Sequence, residues 1–146
     1  TRIDHEDGRV EFVPKVANDL DWVPKEGGYY YYVRACGGVN FFPFSGHEFD
    51  EKSTAFHNCY PTEPQAKKAA KYMRRSNAII RACLLVDPGF EPDWDDRWQE
   101  KWRVKYNHLT RAWYAVECRA WCAPCYVSTK EKAEQACELL TKWGVK

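Results

Sequence analysis

The sequence predicts an α+β fold in which two antiparallel β-meander-plus-helix halves form one compact domain over residues 22–146, preceded by an extended lead-in at 1–21. Aromatic segments that suit pleated strands occur in both halves, and a segment with apolar residues at helical spacing follows each set. A helix-start pattern also recurs 67 residues apart, at Thr62 and Thr129. With 146 residues, the chain can bury a core without disulfide bonds or metals.

The first half is predicted to contain a β-hairpin and one further strand. Paired glycines precede the tyrosine-rich run 29–33 and separate it from the aromatic run 39–44, a pattern typical of a hairpin. The polar stretch 45–53 is expected to form a connection, and 55–60 a short third strand.

Two helices are predicted from their caps and apolar stripes. Thr62 and Gln65 have the spacing of a capping box at the start of an alanine-rich stripe. The turn residues 87–89 should end this first helix. The second helix is expected to begin at 128–131 and to end at Gly144.

The second half repeats the order of strands and helix. Large apolar residues alternate with basic ones at 102–106, which predicts a strand. Segments 113–118 and 122–127 would complete a three-stranded meander. We interpret 22–87 and 99–146 as a pseudo-repeat, and both true duplication and convergence on a good helix start stay open.

Composition excludes several classes of protein. The 22 basic and 21 acidic residues nearly cancel, so no global field indicates nucleic acid, a membrane or an acidic partner. No apolar run reaches the roughly 18 residues that a membrane span needs. Seven cysteines without a preceding apolar signal segment favour a reduced, cytosolic setting. The first residue, Thr1, indicates that the chain is a fragment.

No catalytic residue and no cofactor are predicted. The sequence has no Gly-rich phosphate loop and no nucleophile elbow. The acidic stretch 92–98 lacks the glycine hinge and distal glutamate of an EF-hand loop, so we interpret it as a solvated connection. We therefore expect a protein that is not an enzyme.

The motif Trp121-Cys122-Ala123-Pro124-Cys125 resembles the active-site signature of thioredoxin-like oxidoreductases, and Cys118 adds a C-x3-C-x2-C spacing like that of radical-SAM proteins. In thioredoxin-like proteins the first cysteine opens a helix, whose N-terminus lowers its pKa. Here Ser128 and Thr129 cap the helix after the cysteines, and too little chain follows for either fold. Packing is therefore the preferred role of these cysteines.

Zinc binding is the remaining alternative for this cluster. Zinc takes four ligands in a tetrahedron, and His108, Cys118, Cys122 and Cys125 supply such a set. On an extended segment, however, Cys122 and Cys125 would point to opposite faces. The other cysteines show no ligand spacing and are expected in the core: Cys36, Cys59, Cys83 and Cys137.

An aromatic and basic surface is the strongest candidate for function. Four consecutive tyrosines place two rings on the core and two outward, and tyrosine, tryptophan and arginine are enriched in binding hot spots. The first helix also carries a basic face, but the near-neutral net charge favours an ordinary solvated face as its explanation. The candidate partner-binding or nucleotide-binding residues are Tyr30, Tyr32, Arg34, Arg74, Arg75, Trp98, Arg103 and Trp121.

Three segments give the chain a resemblance to small accessory proteins of tailed phages and prophages: 22–33, 58–62 leading into an alanine-rich helix, and 93–102. Those relatives read roughly W-x-P-x-x-G-x-x-YYY(I/V), G-N-x-F-x-T-x-E-x-A and D-W-x-D-x-x-Q-x-K-(Y/W). This chain departs from the pattern by His57, where the relatives tend to have glycine, and by its cysteine cluster. The resemblance covers residues 22 to about 142 and implies a host-takeover or anti-defence protein.

The sequence therefore predicts a cytoplasmic, non-enzymatic protein that binds a host or defence protein through an aromatic and basic surface. A nucleic-acid or nucleotide-binding module and a zinc-stabilised interaction module are the alternatives. We expect no membrane association, and the oligomeric state stays open.

Overall fold

The computed structural model describes the backbone of residues 2–4 and 10–12 and the whole of residues 22–146. The fold is α+β, as predicted. Its strands are β1 (Arg2–Asp4), β2 (Val10–Phe12), β3 (Tyr29–Val33), β4 (Val39–Pro43), β5 (Trp102–Asn107) and β6 (Ala112–Glu117). Its helices are α1 (Glu48–Ala55), α2 (Glu63–Val86) and α3 (Lys130–Lys142). The strands pair in chain order as antiparallel two-stranded sheets.

The chain divides into two compact units, Thr1–Tyr72 and Met73–Lys146. Each unit contains a hairpin and helical residues. Within the expected lead-in, β1 pairs with β2, and residues 1, 5–9 and 13–21 lie outside the described part of the chain. The pseudo-repeat stays a prediction.

The first unit contains the predicted hairpin of β3 and β4. Tyr30 lies opposite Phe42 and Tyr31 opposite Phe41, so each face of the hairpin carries aromatic pairs. The predicted third strand at 55–60 is wrong, because only Tyr60 forms an isolated bridge, to Tyr31. The preceding residues continue α1 and end in a turn.

Helix α1 was not predicted, and a buried carboxylate fixes its position. Asp50 is completely buried, and its side chain accepts hydrogen bonds from the Tyr30 hydroxyl at 2.8 Å, the Ser45 amide at 2.8 Å and the His47 amide at 3.2 Å. Burial alone would raise the pKa of Asp50, but these donors together lower it below its usual value. The charged carboxylate therefore joins α1 to β3.

We expect Tyr30→Phe to lower the free energy of unfolding by about 1–2 kcal/mol, because it leaves the buried Asp50 carboxylate short of one donor. Tyr29→Phe is the matched control, since Tyr29 is 64% exposed on the same strand and should change stability by less than about 0.5 kcal/mol. Urea unfolding of both variants measures the difference. Equal stabilities would contradict the role given to the Tyr30 hydroxyl.

The second unit packs α3 and the second half of α2 against the β5–β6 hairpin. Its core consists of apolar and small side chains from these elements, including Val104, Trp113, Val127 and Leu140. The predicted third strand at 122–127 is wrong, because only Val127 bridges to Trp102. Residues 119–126 instead form an irregular loop.

The two predicted helices have the predicted ends. At the start of α2, the Thr62 hydroxyl donates to Gln65 Oε1 at 2.8 Å. The Thr129 side chain caps α3 by accepting from the Lys132 amide at 3.2 Å. Gly144 ends α3 with a φ of +68°, which a residue with a side chain adopts only with strain.

His57 also has a positive φ, of 53°. Glycine adopts this conformation without strain, whereas a residue with a side chain adopts it less readily. Among the described helices, none is long and apolar enough to cross a membrane.

Candidate binding cleft and cysteine loop

A cleft of about 470 Å³ lies in the second unit, between the connection that precedes β5 and the loop that follows β6. We call it the Trp98 cleft. Its lining residues are Trp94, Asp96, Arg97, Trp98, Gln99, Glu100, Lys101, Glu117, Cys118 and Arg119. Trp98 is 85% exposed, which is unusual for so large an apolar side chain.

Hydrogen bonds within the acidic connection, residues 91–99 before β5, fix the shape of the cleft. The Asp93 side chain accepts a hydrogen bond from the Asp95 amide at 2.9 Å, and the Asp96 side chain accepts from the Trp98 amide at 2.8 Å. Gln99 accepts from the Asp93 amide and donates to the Glu91 carbonyl. These local bonds order a segment that has no regular secondary structure.

The buried Lys101 side chain stabilises the same turn. It is only 3% exposed, and its ammonium donates to the carbonyls of Asp96 at 2.9 Å and Gln99 at 3.1 Å. The ammonium also lies 5.4 Å from the centre of the Trp94 ring, within the range of a cation–π interaction. Lys101 thus connects the backbone of the turn to the aromatic wall of the cleft.

Trp94 joins the cleft to a second exposed tryptophan. Its ring centre lies 5.5 Å from that of Trp121 and 5.0 Å from that of Tyr126. Trp121 is 73% exposed, whereas Tyr126 is buried. Trp94 therefore lines the cleft together with the exposed Trp98 and also contacts the exposed Trp121. Its buried Nε1 has no acceptor within the described residues.

The charges around the cleft balance. Three of its side chains are basic (Arg97, Lys101 and Arg119), and three are acidic (Asp96, Glu100 and Glu117). Further carboxylates of the connection, at Glu91, Asp93 and Asp95, lie beside it in the chain. The cleft is therefore aromatic and charge-balanced, and it lacks the positive excess of a polyanion site.

The cysteines of the WCAPC motif have different partners, and both pairs were missed by the sequence analysis. Cys118 and Cys122 have their Sγ atoms 3.2 Å apart. Cys125 instead packs against the core that contains Cys83 on α2, and its thiol donates to the Tyr126 carbonyl at 3.9 Å. The expectation of core packing is confirmed for Cys83 and Cys137, which are buried, but it is wrong for Cys36 and Cys122, which are exposed. Cys59 is half-buried.

The hydrogen bond from Cys83 lowers the pKa of Cys125 to about 7, although burial opposes the change. The same hydrogen bond, together with burial, raises the pKa of Cys83. Of the two thiols, Cys125 therefore loses its proton more readily, and the thiolate is the reactive form of a cysteine.

We expect alkylation of Cys125 by iodoacetamide to rise with pH and to reach half its maximal rate near pH 7. Cys83→Ala removes the donor, so the midpoint should move up toward the ordinary value of 9.0. Tandem mass spectrometry of peptide 120–130, which separates modification of Cys125 from that of Cys122, measures the profile. Cys137 is an internal reference, because burial raises its pKa to about 11. A midpoint that Cys83→Ala leaves unchanged would contradict this account.

The structure does not bring the predicted zinc ligands together. His108 lies in the β5–β6 turn and packs on the Tyr106 ring, whereas Cys118 follows the other end of β6. The hairpin has six residue pairs, and the five steps between its two ends span about 17 Å. In the described part of the chain, no group of three or more suitable side chains could hold a metal ion. The alternative prediction of a zinc site at His108, Cys118, Cys122 and Cys125 is therefore wrong.

The predicted binding residues of the first unit have different environments. Tyr30 is completely buried and its hydroxyl donates to Asp50, so its ring is not at the surface. Tyr32 is half-buried against Phe49, with ring centres 5.3 Å apart. Arg34 is exposed where β3 ends. The exposed aromatic residues of this hairpin are instead Tyr29, Phe41 and Phe42.

The predicted arginines of the second unit mostly serve its own packing. Arg75 lies over the rings of Tyr106 at 5.7 Å and Trp113 at 5.4 Å. Arg103 donates to the Cys122 carbonyl at 3.2 Å, while its buried Nε has no acceptor within residues 22–146. Arg74 is exposed on α2. Of the remaining predicted residues, Trp98 lines the cleft and Trp121 contacts the Trp94 ring beside it.

Sequence reasoning missed the other side chains that form the cleft: Trp94, Arg97, Lys101 and Arg119. The signal that was present is the density of turn-forming aspartates around Trp94 and Trp98, which favours an ordered connection. The contact between this connection and residues 117–121 is not visible in any local pattern.

Comparisons with known proteins give this chain no relative. No family model matches it, and searches of curated proteins and of solved structures also found no match.

Proposed function

We propose that this chain is a non-enzymatic binding protein that engages a protein partner through the Trp98 cleft and the neighbouring Trp121. The observation that carries the proposal is the pair of highly exposed tryptophans, at 85% and 73%, beside a cleft of about 470 Å³. Tryptophan and arginine dominate the energetics of protein interfaces, where a few anchors fill pockets at the centre. Trp98 with Arg97, and Trp121 with Arg119, provide such anchors.

The balance of charge favours a protein over a nucleic acid as the partner. A site for single strands combines stacking rings with a basic groove that follows the phosphates. Three carboxylates line this cleft and cancel its three cations, so phosphates would meet repulsion as well as attraction. A protein surface with mixed charges and carbonyl acceptors complements the cleft better, and a carbonyl would suit the unpartnered Trp94 Nε1.

The class of partner follows from the sequence resemblance to phage and prophage accessory proteins. On that basis we propose a host or defence protein as the target and the host cytoplasm as the place of action. The spacing of aromatic and acidic residues at 22–33 and 93–102 supports this step.

Affinity capture from a nuclease-treated bacterial lysate tests the proposal. The baits are the wild-type chain, a Trp98→Ala/Trp121→Ala double variant, and Leu109→Ala as control, because Leu109 is 94% exposed in the distant β5–β6 turn. We expect a protein that the wild type and the control retain and that the double variant loses. Capture that does not depend on the tryptophans would contradict the proposal.

Titration of tryptophan fluorescence with single-stranded oligonucleotides at two salt concentrations tests the nucleic-acid alternative. We expect no saturable quenching. Quenching that saturates and weakens with salt would replace the proposed partner by a nucleic acid.

A further inference from the structure

The close approach of Cys118 and Cys122 indicates a chemical site that is independent of the proposed partner. Their Sγ atoms lie 3.2 Å apart, and a disulfide bond needs about 2.05 Å. The two sulfur atoms therefore have to move by only about 1.2 Å to bond. Cys118 immediately follows β6 and Cys122 lies in the adjoining loop, so neither cysteine belongs to the paired strands of the hairpin.

Neighbouring groups hold the backbone of Cys122 on both sides. The buried Tyr126 hydroxyl oxygen accepts from the amides of Cys122 and Ala123, the latter at 2.7 Å, and Arg103 donates to the Cys122 carbonyl at 3.2 Å. The Cys118 amide donates to the Lys101 carbonyl at 2.7 Å. Both thiols are thus oriented before any reaction, which lowers the entropic cost of joining them.

Stepwise disulfide exchange requires one accessible thiol and a second thiol beside it, and the two cysteines differ in exposure in this way. Cys122 is exposed and accessible to a small disulfide, whereas Cys118 is 7% exposed. Burial raises the pKa of Cys118 to about 11, and the hydrogen bond with Cys122 adds to the effect. An external disulfide therefore reacts first with Cys122, and the Cys118 thiol then displaces the reagent from Cys122.

We propose that Cys118 and Cys122 form a reversible disulfide by exchange with small-molecule disulfides of the glutathione type. The Cys122 thiolate attacks one sulfur of the reagent, breaks its S–S bond and releases one thiol, which leaves a mixed disulfide on Cys122. Cys118 then gives up its proton and attacks Cys122 Sγ, and the second thiol leaves with that proton. Two protein S–H bonds and one reagent S–S bond are replaced by one protein S–S bond and two reagent thiols.

The motif itself suggests a different pair, Cys122 with Cys125, and the geometry selects against it. Cys125 packs against the core that contains Cys83, and its thiol donates to the Tyr126 carbonyl, whereas Cys122 Sγ lies against Cys118 Sγ. The disulfide would therefore close the short segment that carries Arg119 and Trp121, at the wall of the Trp98 cleft.

Tryptic digestion distinguishes the pairings, because Arg119 lies between the two cysteines. Cleavage after Arg111, Arg119 and Lys130 places Cys118 in peptide 112–119 and Cys122 with Cys125 in peptide 120–130. The folded chain is treated with oxidised glutathione, and the remaining thiols are blocked before digestion. We expect peptides 112–119 and 120–130 joined by a disulfide that reduced glutathione reverses.

Three variants complete the test. Cys125→Ser should keep the cross-link, and Cys122→Ser, at an exposed position, should abolish it. Cys118→Ser should accumulate the glutathione adduct on Cys122, since the resolving thiol is absent. A disulfide within peptide 120–130, a link from it to peptide 82–97, which contains Cys83, or no disulfide at all would overturn the proposal.

Discussion

Asp87→Ala should lower the free energy of unfolding of the second unit by about 2–4 kcal/mol, because it removes the acceptor that connects the end of α2 to the start of α3. Asp87 is 7% exposed, and its carboxylate accepts from the Ser128 amide at 2.8 Å, the Ser128 hydroxyl at 2.7 Å and the Lys132 ammonium at 2.5 Å. Without it, the half-buried Ser128 donors lose their acceptor and Lys132 loses its counter-charge.

Asp87→Asn is the matched variant for this prediction. The amide oxygen can still accept from Ser128, but the charge is gone, so we expect a loss of about 1–2 kcal/mol. Urea unfolding followed by tryptophan fluorescence measures both variants. A loss below about 0.5 kcal/mol for Asp87→Ala would show that this carboxylate does not hold the two helices.

The pH dependence of stability gives an independent signature of the same carboxylate. Burial opposes ionisation, but the hydrogen bonds from Lys132 and Ser128 outweigh it and lower the pKa of Asp87 below 3.8. The stabilisation is therefore complete above the unfolded value of 3.8 and disappears as the pH falls through the lower folded pKa. Asp87→Asn should accordingly reduce the loss of stability at acidic pH.

Trp98→Ala should weaken binding of the proposed partner by about 30-fold or more, equivalent to about 2 kcal/mol. Its side chain is 85% exposed in the free chain, so a partner that covers it would bury most of a large apolar surface. The same exposure means that folding gains little from this ring, and stability should change by less than about 0.5 kcal/mol.

Calorimetric titration of the captured partner with the wild type and with Trp98→Ala measures this loss. Leu109→Ala is the control, because Leu109 is equally exposed but lies at the turn of β5 and β6. Equal affinities for all three chains would remove Trp98 from the interface.

The helices and strands that were predicted correctly are those whose ends are determined by residues close by in the chain. The helix caps at Thr62, Thr129 and Gly144, and the glycines flanking β3, act on their own neighbours, so the sequence pattern contains them. Helix α1 was missed although acidic residues open it and a Glu48–Lys52 pair supports it. Its decisive contact, Asp50 with Tyr30, spans twenty residues.

The same distinction explains the partial prediction of the site. Alternation along β3 correctly separated two faces, but alternation cannot say which face is covered, so Tyr30 was assigned outward although α1 buries it. Trp98 and Trp121 were selected from their residue type. The cysteine pairings depend on where α2 and the loop after β6 meet, which spacing within the motif does not encode.

Site-specific photo-crosslinking tests the central claim, that partner binding occurs at the Trp98 cleft, most directly. A photoreactive amino acid replaces Trp98 in one chain and Leu109 in the other, and each is irradiated in a nuclease-treated lysate. We predict a cross-linked protein at position 98 that excess wild-type chain competes away, and none at position 109. Cross-linking of the same protein at 109 but not at 98 would contradict the account.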